Sequence, residues 1–381
     1  MNYVMLKDVC AINMGQSPDS KSYNNTGNGV PFFQGNTDFG EKYPVTRKWC
    51  SAPTKMAAPD DILISVRAPI GAMNYAKEDC CIGRGLAALT PNKSKVSSEY
   101  LFWLLKGKNA ELNSKGTGST FKAIGRKVLE ETMVPEIPLE KQIEYSEILE
   151  RVYGVIQVRK QELQKLDELI KARFIELFGD MYLNSLEWTE VSLESISDVV
   201  SGITKGRKIK TAELREVPYM AVSNVKNGYI DWTTVKTIEV TEQELNQYRL
   251  LPDDVLMTEG GDPDKVGRGA IIREPLENCI HQNHIFRVRL NERVILPVFF
   301  AEYLQHQKAK RYFLGCAKQT TGIASINMKQ LRNLPVLMPP LELQQRFASF
   351  VDQNDKSKVV VQKALDEAQL LFDSLMQKYF G

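Results

Sequence analysis

The sequence of 381 residues predicts a tandem α+β protein in which one domain plan occurs twice. Three observations support this prediction. Motifs recur in the same order in both halves, each half mixes strand-like and helix-like runs, and each half ends in a long helical segment. A half of roughly 190 residues is long enough to bury a hydrophobic core of its own. We therefore expect two similar domains, each followed by a helix.

Four pairs of short motifs establish the repeat. Their order is the same in both halves, and the offset between the copies changes little along the chain. A chain with two similar surfaces suits a target that has two halves, and DNA is the commonest such target. The motifs and their counterparts are Val30-Pro31-Phe32 with Val217-Pro218-Tyr219, Pro59-Asp60-Asp61-Ile62-Leu63 with Pro252-Asp253-Asp254-Val255-Leu256, Pro138-Leu139-Glu140-Lys141-Gln142 with Pro340-Leu341-Glu342-Leu343-Gln344, and Leu177-Phe178-Gly179 with Tyr379-Phe380-Gly381.

Strands and short helices are predicted at corresponding places in the two halves. Residues 62–66 and 255–258 are apolar runs of the length expected for buried strands. Residues 100–105 and 299–304 are amphipathic and predict short helices. Because Gly, Pro, Asn and Asp break up the intervening sequence, the pattern predicts α+β domains.

Residues 139–178 and 341–380 predict two long helices. The first segment contains one glycine, Gly154, and no proline, and the second contains neither. Apolar residues recur every three or four positions in both, as in a heptad pattern, although the polar stretch 352–358 weakens the second. Prolines precede each segment and a glycine follows it. Helices of this length, about 60 Å, most simply pair with each other; the alternative is that each packs on its own domain.

Composition bounds the compartment of the protein. No apolar run reaches the roughly 18 residues needed to span a bilayer, and the first residues do not resemble a signal peptide. Six cysteines are present without a Cys-x-x-Cys pair, which fits reduced thiols. We therefore expect a cytoplasmic protein.

Positive charge is concentrated locally, although the net charge is only +2. Three segments carry Lys and Arg without any Asp or Glu, namely residues 112–129, 199–212 and 303–341. Such segments suit contact with phosphates. The alternative is ordinary solvated loop charge.

Motifs of catalysis are absent from the sequence. There is no Gly-x-x-x-x-Gly-Lys-Ser/Thr loop, no Gly-rich loop for S-adenosylmethionine and no Asn/Asp-Pro-Pro-Tyr/Phe motif. A nuclease site built on Asp253 and Glu259 would need a lysine two positions after the glutamate, where the chain has glycine. His281 and His284, near Cys279, have a metal-like spacing, but a strand would point the two histidines to opposite faces. We therefore predict a protein that binds DNA, with no catalytic or metal site.

These features together resemble the DNA-specificity subunits of type I restriction-modification systems, over essentially the whole chain. The second copy departs at Lys205, where the family usually has Pro, and Pro-Asp-Asp stands twice for the family's Pro-Gly-Asp. The motifs that carry the resemblance are Gly15-Gln16-Ser17-Pro18 with Gly202-Ile203-Thr204-Lys205, the segment His281-Gln282-Asn283-His284-Ile285-Phe286, the loops at 116–120 and 320–325, and the two Pro-Leu-Glu helix starts.

The resemblance implies a fold and a function. Target recognition domains would occupy residues 1–138 and 181–340, and long helices at 139–180 and 341–381 would pair as an antiparallel coiled coil with pseudo-two-fold symmetry. Each domain would read one half of a bipartite, asymmetric site on double-stranded DNA, and the helices would fix the spacer. The chain itself would be non-catalytic and bind no cofactor. Two modification (methyltransferase) subunits docked on the helices would carry S-adenosylmethionine, and a restriction subunit would join for cleavage.

Candidate DNA contacts are chosen for loop placement, donor chemistry and positive charge. Each of these residues has the alternative of a solvated or turn-stabilising role, and for Arg84 a buried structural pairing is equally open. In the first domain they are Lys21, Asn36, Arg67, Arg84, Lys115, Thr117, Ser119 and Lys122. In the second they are Lys205, Arg207, Lys208, Asn224, Arg268, Gln282, His284, Lys318 and Thr320.

Two other functions remain open at this point. A structural adaptor whose helices only assemble other proteins would show no salt-dependent affinity for DNA. A self-contained DNA methyltransferase or nuclease is the third possibility, and binding of S-adenosylmethionine by the purified chain would favour a methyltransferase.

Overall fold

The computed structural model describes residues 2–118, 122–207, 213–262, 266–320 and 323–380, apart from the side chains of residues 319, 320 and 323. Contacts divide the chain into two compact units, which we call unit 1 (Met1–Lys160 with Gln362–Gly381) and unit 2 (Gln161–Val361). Each unit therefore takes part of both long helices. The predicted domain boundaries follow the ends of the helices instead of these contacts, and they stay a prediction.

Unit 1 contains short strands and helices around the start of the first long helix. The helix predicted at 100–105 lies within α2, and the strand predicted at 62–66 is β7. The strands are β1 (Tyr3–Met5), β2 (Cys10–Met14), β3 (Tyr23–Asn24), β4 (Val30–Phe33), β5 (Trp49–Cys50), β6 (Met56–Ala57), β7 (Ile62–Ser65), β8 (Met73–Tyr75), β9 (Cys80–Ile82), β10 (Leu86–Pro91) and β11 (Met133–Pro135). The helices are α1 (Leu6–Val9), α2 (Ser98–Gly107), α3 (Asn109–Ser114), α4 (Arg126–Glu130) and α5 (Leu139–Phe178), which continues into unit 2.

An antiparallel sheet in the order β2-β10-β7-β8 forms the centre of unit 1. Along β7, Ile62 and Ile64 belong to one hydrophobic cluster and Leu63 to another, so the strand is covered on both faces. This explains why its sequence is continuously apolar instead of alternating. A second sheet pairs β4 with β9 in parallel, and β1 pairs with β11 beside the start of α5.

Unit 2 has its central strands and most helices in a corresponding order, but its helix Glu242–Tyr248 has no counterpart in the described part of unit 1. The strand predicted at 255–258 is β16, and the helix predicted at 299–304 is α7. The strands are β12 (Thr189–Ser192), β13 (Ser197–Ser201), β14 (Arg215–Met220), β15 (Lys236–Val240), β16 (Val255–Thr258), β17 (Gly260–Gly261), β18 (Gly269–Ile271), β19 (Ile280–His281), β20 (Ile285–Leu290), β21 (Lys318–Thr320), β22 (Ile323–Ser325) and β23 (Pro335–Met338). The helices are α6 (Glu242–Tyr248), α7 (Pro297–Tyr303), α8 (Gln307–Cys316), α9 (Met328–Arg332) and α10 (Leu341–Phe380), which continues into unit 1.

The sheets of unit 2 repeat the connections of unit 1. Its central antiparallel sheet runs β13-β20-β16-β18, strand for strand the counterpart of β2-β10-β7-β8. The parallel pair β14 and β19 matches β4 and β9, and the pair β12 and β23 matches β1 and β11. The duplicated α+β fold predicted from the motifs is therefore confirmed.

The two Pro-Asp-Asp motifs form the same turn before a buried strand. Asp60 and Asp253 adopt left-handed backbone conformations, with φ of 68° and 67°. The following aspartates are buried and cap the turn: Asp61 Oδ2 accepts the Ala58 N–H at 2.9 Å, and Asp254 Oδ2 accepts its counterpart from residue 251 at 2.7 Å. The left-handed position explains why glycine is usual there, and why aspartate, which tolerates this conformation better than most residues, can replace it.

The long helices have the predicted bounds and lie antiparallel to each other within each unit. In unit 1, Tyr145 of α5 stacks on Tyr379 of α10, with ring centroids 4.0 Å apart. In unit 2, Phe174 meets Phe347 edge-on at 5.3 Å. The start of α5 thus contacts the end of α10, and the end of α5 contacts the start of α10, as in an antiparallel pair. The helices also contact the globular parts, as in the stacking of Phe174 on Phe299 at 5.4 Å, so pairing and packing on the domain occur together.

The polar stretch in the middle of α10 is accommodated by specific contacts inside unit 2. Asn354 is buried, and its Nδ2 donates to the backbone oxygen of Leu166 on α5 at 3.1 Å. Lys358 Nζ lies 2.6 Å from Asp167 Oδ1. The break in the apolar pattern is therefore filled with a hydrogen bond and an ion pair, and the two helices stay together through it.

Two buried glutamines attach the long helices to the globular parts in the same way. Gln142, one turn into α5, accepts the Ser97 N–H at 2.9 Å through Oε1 and donates to the backbone oxygens of Lys95 and Ile137. Gln344 in α10 accepts the N–H of residue 296 at 2.8 Å and donates to the oxygens of residues 294 and 339. The Pro-Leu-Glu-x-Gln motif is thus a joint between each long helix and the start of α2 or α7.

Candidate nucleic-acid interface

Several loops of unit 1 meet at one end of its central sheet. A hydrogen bond of 3.0 Å from the Gln16 N–H to Ile82 O attaches the turn after β2 to β9. A hydrogen bond of 2.8 Å from the Gly83 N–H to Phe33 O attaches the loop between β9 and β10 to β4. Because these are backbone bonds, they position the loops without using the side chains.

The remaining loops of this group are joined in the same manner. The Val66 N–H donates to Gly85 O at 2.9 Å, and the Ala68 N–H donates to Lys122 O at 3.0 Å. Residues 117 and 123 exchange two backbone bonds of 3.0 and 2.9 Å. We call the segments at residues 15–21, 34–38, 66–68, 83–85, 115–118 and 122–123 the loop end of unit 1.

Glycines are required where these loops cross. A Cβ added to Gly15 would lie 2.2 Å from the backbone oxygen of Gly83, far inside contact distance. At the corresponding place in unit 2, a Cβ on Gly202 would lie 2.0 Å from His281 O. The Gly-x-Ser/Thr motif is thus explained by the close approach of two backbones.

Most predicted contacts of unit 1 are accessible on the loop end. Arg84 is exposed, so its alternative role in a buried pairing is wrong. Lys115 is exposed but its Nζ lies 2.6 Å from Glu111 Oε1, a surface ion pair that DNA could replace. Asn36 is half-buried at the start of a short 3-10 turn. The exposed candidates are Lys21, Arg67, Arg84, Lys115, Thr117 and Lys122.

Unit 2 builds the same end with the same backbone bonds. The Ile203 N–H donates to His281 O at 2.8 Å, and the Gln282 N–H donates to Met220 O at 3.0 Å. These correspond to the bonds of residues 16 and 83 in unit 1. We call the loops at residues 202–207, 221–224, 259–261, 282–284 and 318–326, in so far as they are described, the loop end of unit 2.

The equivalent backbone hydrogen bonds show which residue of one loop end corresponds to which residue of the other. The Glu259 N–H donates to His284 O at 3.0 Å, as the Val66 N–H donates to Gly85 O. Glu259 therefore occupies the place of Val66. By the same correspondence, unit 2 has Gly260 at the position of Arg67, Asn283 at that of Arg84 and Ala324 at that of Lys122. The backbones agree, and the side chains they present differ in charge and shape.

The loop end of unit 2 has its own set of accessible side chains. His284 and Glu259 form a pair, with Nδ1 2.5 Å from Oε2 and side-chain exposures of 57% and 34%. Lys205 and Lys318 are exposed, whereas Gln282 and Arg268 are half-buried. Unit 2 thus combines an acid, a histidine and amides where unit 1 has arginine and lysine.

Two predicted contacts of unit 2 have structural roles, which corrects their assignment. Asn224 is fully buried, because its Oδ1 accepts the Ala221 N–H and its Nδ2 donates to Asp231 O, each at 2.9 Å. Arg207 holds Glu244 through two bonds of 2.5 and 2.7 Å, and this pairing with Arg207 lowers the pKa of Glu244 to about 2. Neither side chain is free for DNA.

Three further candidates have side chains outside the described residues. Ser119 and Lys208 lie outside the described residues. Thr320 belongs to β21, but its side chain is also outside them. All three stay predictions.

His281 and His284 do not share a strand, so the expectation based on two faces of one strand does not apply: His281 ends β19, and His284 lies in the turn before β20. His281 is fully buried, and its Nδ1 donates to Ile285 O at 3.1 Å. Burial, and then the positive charge of Arg287, lower the pKa of His281 to about 4. Within the described part of the chain, no three His, Cys, Asp or Glu side chains come together as a metal site. The contact of His281 is thus with the backbone.

Glu259, Asn283 and Gln16 are accessible polar residues of the loop ends that are not among the predicted DNA contacts. In the sequence, Glu259 belongs to a possible nuclease motif, and Asn283 and Gln16 belong to family motifs. A count from the Pro-Asp-Asp turns would have found Glu259, since the position that follows the buried strand holds Val66 in one copy and Glu259 in the other.

Comparison with known proteins decides the family. A family model described as Type I restriction modification DNA specificity domain matches residues 1–168 and, a second time, residues 185–368. The chain belongs to this family. The resemblance drawn from the motifs is thereby confirmed, and each match covers one copy of the repeat.

Relatives of this specificity-family protein include two named subunits. Over 158 residues it is 41% identical to the putative type I restriction enzyme MjaX specificity subunit of Methanocaldococcus jannaschii, a match that covers 42% of the chain and only 37% of that relative. Over 412 aligned positions it is 19% identical to the type I restriction enzyme EcoBI specificity subunit of Escherichia coli, which covers 99% of the chain and 85% of that subunit.

A solved structure supports the fold of this specificity-family protein over its whole length. The crystal structure of the type I restriction-modification system S subunit from M. genitalium superposes with a TM-score of 0.59 at 15% identity, covering 100% of the chain and 96% of that subunit. At this identity the likeness concerns the fold alone. In the part of the chain that the structure describes, no helix is long and apolar enough to cross a membrane.

Proposed function

We propose that this chain is the specificity subunit of a type I restriction-modification complex, in which unit 1 and unit 2 each read one half of a bipartite, asymmetric DNA site. One observation carries the proposal. The two loop ends share their backbone bonds position by position, yet they present different side chains at those positions. Equal geometry with unequal chemistry is what two different half-sites require.

The accessible side chains of unit 1 suit base and phosphate contact. Arg67 follows β7 and Arg84 precedes β10, the strand that pairs with β7, and the hydrogen bond between Val66 and Gly85 brings the backbones beside the two arginines together. Arginine in the major groove recognises guanine through O6 and N7. Exposed lysines such as Lys21 and Lys122 would hold phosphates and set the register.

The helices would fix the spacer and dock two methyltransferase subunits. Apolar side chains are exposed on them, at Val155 and Val158 in unit 1 and at Val359 and Val360 in unit 2, with exposures of 48%, 53%, 69% and 69%. Exposed apolar residues of this number on a helix favour a protein partner. In this proposal the chain is non-catalytic and binds no cofactor, the partners carry S-adenosylmethionine and the methylating residues, and a restriction subunit joins for cleavage.

The cytoplasm is the proposed location. All six cysteines are free, and five of them are buried. Burial raises the pKa of Cys10, Cys80 and Cys279 to about 12, so these thiols stay protonated and unreactive.

Methylation mapping tests the proposal. Sequencing of modified bases in cells that carry the complete system should show one bipartite motif, and deletion of the gene for this chain should abolish methylation at that motif. Reintroduction of the chain with Arg67→Ala and Arg84→Ala should weaken or relax only one half of the motif. An unchanged methylation pattern after deletion would contradict the proposed function.

A further inference from the structure

We infer that Glu259, held by His284, determines one base of the half-site read by unit 2, and that its target is the exocyclic amino group of a cytosine. This inference rests on the proposed function and deepens it. The inference concerns an acidic residue among basic ones. Phosphate binding does not explain the presence of Glu259, because a carboxylate repels phosphates.

The position of Glu259 is set by backbone bonds on both sides. Its N–H donates to His284 O at 3.0 Å, and its carbonyl accepts the Ile326 N–H at 2.8 Å. It directly follows the buried strand β16 and precedes Gly260, which pairs with Ser325 of β22. The residue is therefore part of the rigid sheet end, and its side chain starts from a fixed point.

The carboxylate of Glu259 is also oriented. Its Oε2 lies 2.5 Å from Nδ1 of His284, a short contact of the kind that charged hydrogen bonds make. A carbonyl or carboxylate can only accept, so the ring donates from Nδ1. This contact uses one carboxylate oxygen, and among the described residues no hydrogen bond occupies Oε1, so it can accept from another donor. A third of the glutamate side chain is exposed, at 34%.

The surroundings of this pair argue for a base and against a phosphate. Lys205 and Lys318, both exposed, belong to the same loop end. Positive charge of this kind brings the phosphates close, and a carboxylate beside them would be repelled unless a donor faces it. The major groove supplies such a donor in the N4 amino group of cytosine, which glutamate accepts. Adenine also presents an amino group, but its neighbouring N7 is an acceptor and would oppose the carboxylate.

The first copy of the repeat serves as an internal comparison. Val66 and Gly85 stand where unit 2 has Glu259 and His284, and Val66 is buried. The fold therefore closes this turn without any ion pair. The pair is an addition peculiar to unit 2, and it lies on the surface that differs between the two half-sites.

Substitution of Glu259 by glutamine tests the inference directly. The complex assembled with its methyltransferase subunits would be titrated against a duplex carrying the mapped motif, and against duplexes with each base pair of the second half-site replaced in turn. Glutamine offers a donor beside an acceptor and matches adenine. We expect Glu259→Gln to shift the preference at one position from C·G towards A·T by about tenfold or more, with the first half-site unaffected.

Two further variants complete the experiment. His284→Asn removes the ring that orients the carboxylate, and it should weaken discrimination at the same base pair without creating a preference for adenine. Glu292→Gln removes the same charge from an exposed position beyond the far end of β20, and it should leave every duplex bound as before.

The outcomes separate the inference from the proposed function. If the unaltered complex recognises no bipartite motif, the proposed function fails and the inference with it. If the motif exists but Glu259→Gln weakens all duplexes equally, or changes none of them, the pair only supports the loop and the inference alone is overturned. Thermal unfolding of each variant would identify a general loss of structure.

Discussion

Residues that look alike in the sequence have opposite situations in the structure. Asn224 and Asn283 are both polar residues near the end of a strand, but Asn224 is fully buried and Asn283 is partly accessible at the loop end. His281 and His284 are three positions apart, and only His284 reaches the surface. The loop positions could be predicted from glycines and turn residues. The side chains that remain available could not, because their hydrogen-bond partners come from distant segments.

The buried His281 makes the stability of unit 2 dependent on pH. Its pKa falls from 6.5 to about 4 on folding, because burial, and then the charge of Arg287, disfavour the protonated ring. A lowered pKa means that the unfolded chain binds more protons between these values, so stability is complete above pH 6.5 and declines as the pH falls towards 4. The contribution is about 3 kcal/mol over that interval.

Denaturant unfolding at pH 7 and pH 4.5 measures this effect. The His281→Asn variant, whose amide can still donate to Ile285 O, should lose less stability between the two pH values than the unaltered protein. An equal loss in both proteins would show that other groups cause the pH dependence.

At the scale of elements, the sequence predicted the helices well and their attachments poorly. The bounds of α5 and α10 follow from the prolines before them and the glycines after them. The Pro-Leu-Glu-x-Gln motif predicts only a helix start. The role of its glutamine could not be predicted, because the glutamine binds a distant residue. Gln142 binds Ser97, 45 positions away, and Gln344 binds Leu296, 48 positions away.

Loss of a joint glutamine should destabilise one unit. Gln142→Ala would remove the partner of the Ser97 N–H and of the Lys95 backbone oxygen at a partly buried place, which should cost about 1–3 kcal/mol in all. Gln344→Ala should do the same in unit 2. Hydrogen exchange would show faster opening at the start of α2 in the first variant and of α7 in the second.

An exposed glutamine of the same helix provides the control. Gln164 donates to Glu168 on the surface of α5, so Gln164→Ala should change the free energy of unfolding by less than about 0.5 kcal/mol. Equal effects of all three substitutions would mean that helix propensity, and not the joint, determines the result.

At the scale of the whole molecule, each unit builds its loop end from its own strands. Residues 185–338 begin before β12 and end with β23, and these two strands pair with each other. Exchange of this segment for that of another family member therefore cuts the chain at two neighbouring points. We expect the second half of the methylated motif to change and the first half to remain, as methylation sequencing would show. A change in both halves would contradict independent recognition.

The order of synthesis gives the shared helices a further consequence. In unit 1, Trp103 packs against Phe372 at 5.5 Å and Tyr145 stacks on Tyr379 at 4.0 Å. A ribosome makes residues 362–380 only after all of unit 2, which at ordinary speeds takes about 10–40 s. Unit 1 is thus completed only after unit 2 has been made. A stop codon before residue 362 would leave unit 1 without Phe372 and Tyr379, which pack on Trp103 and Tyr145.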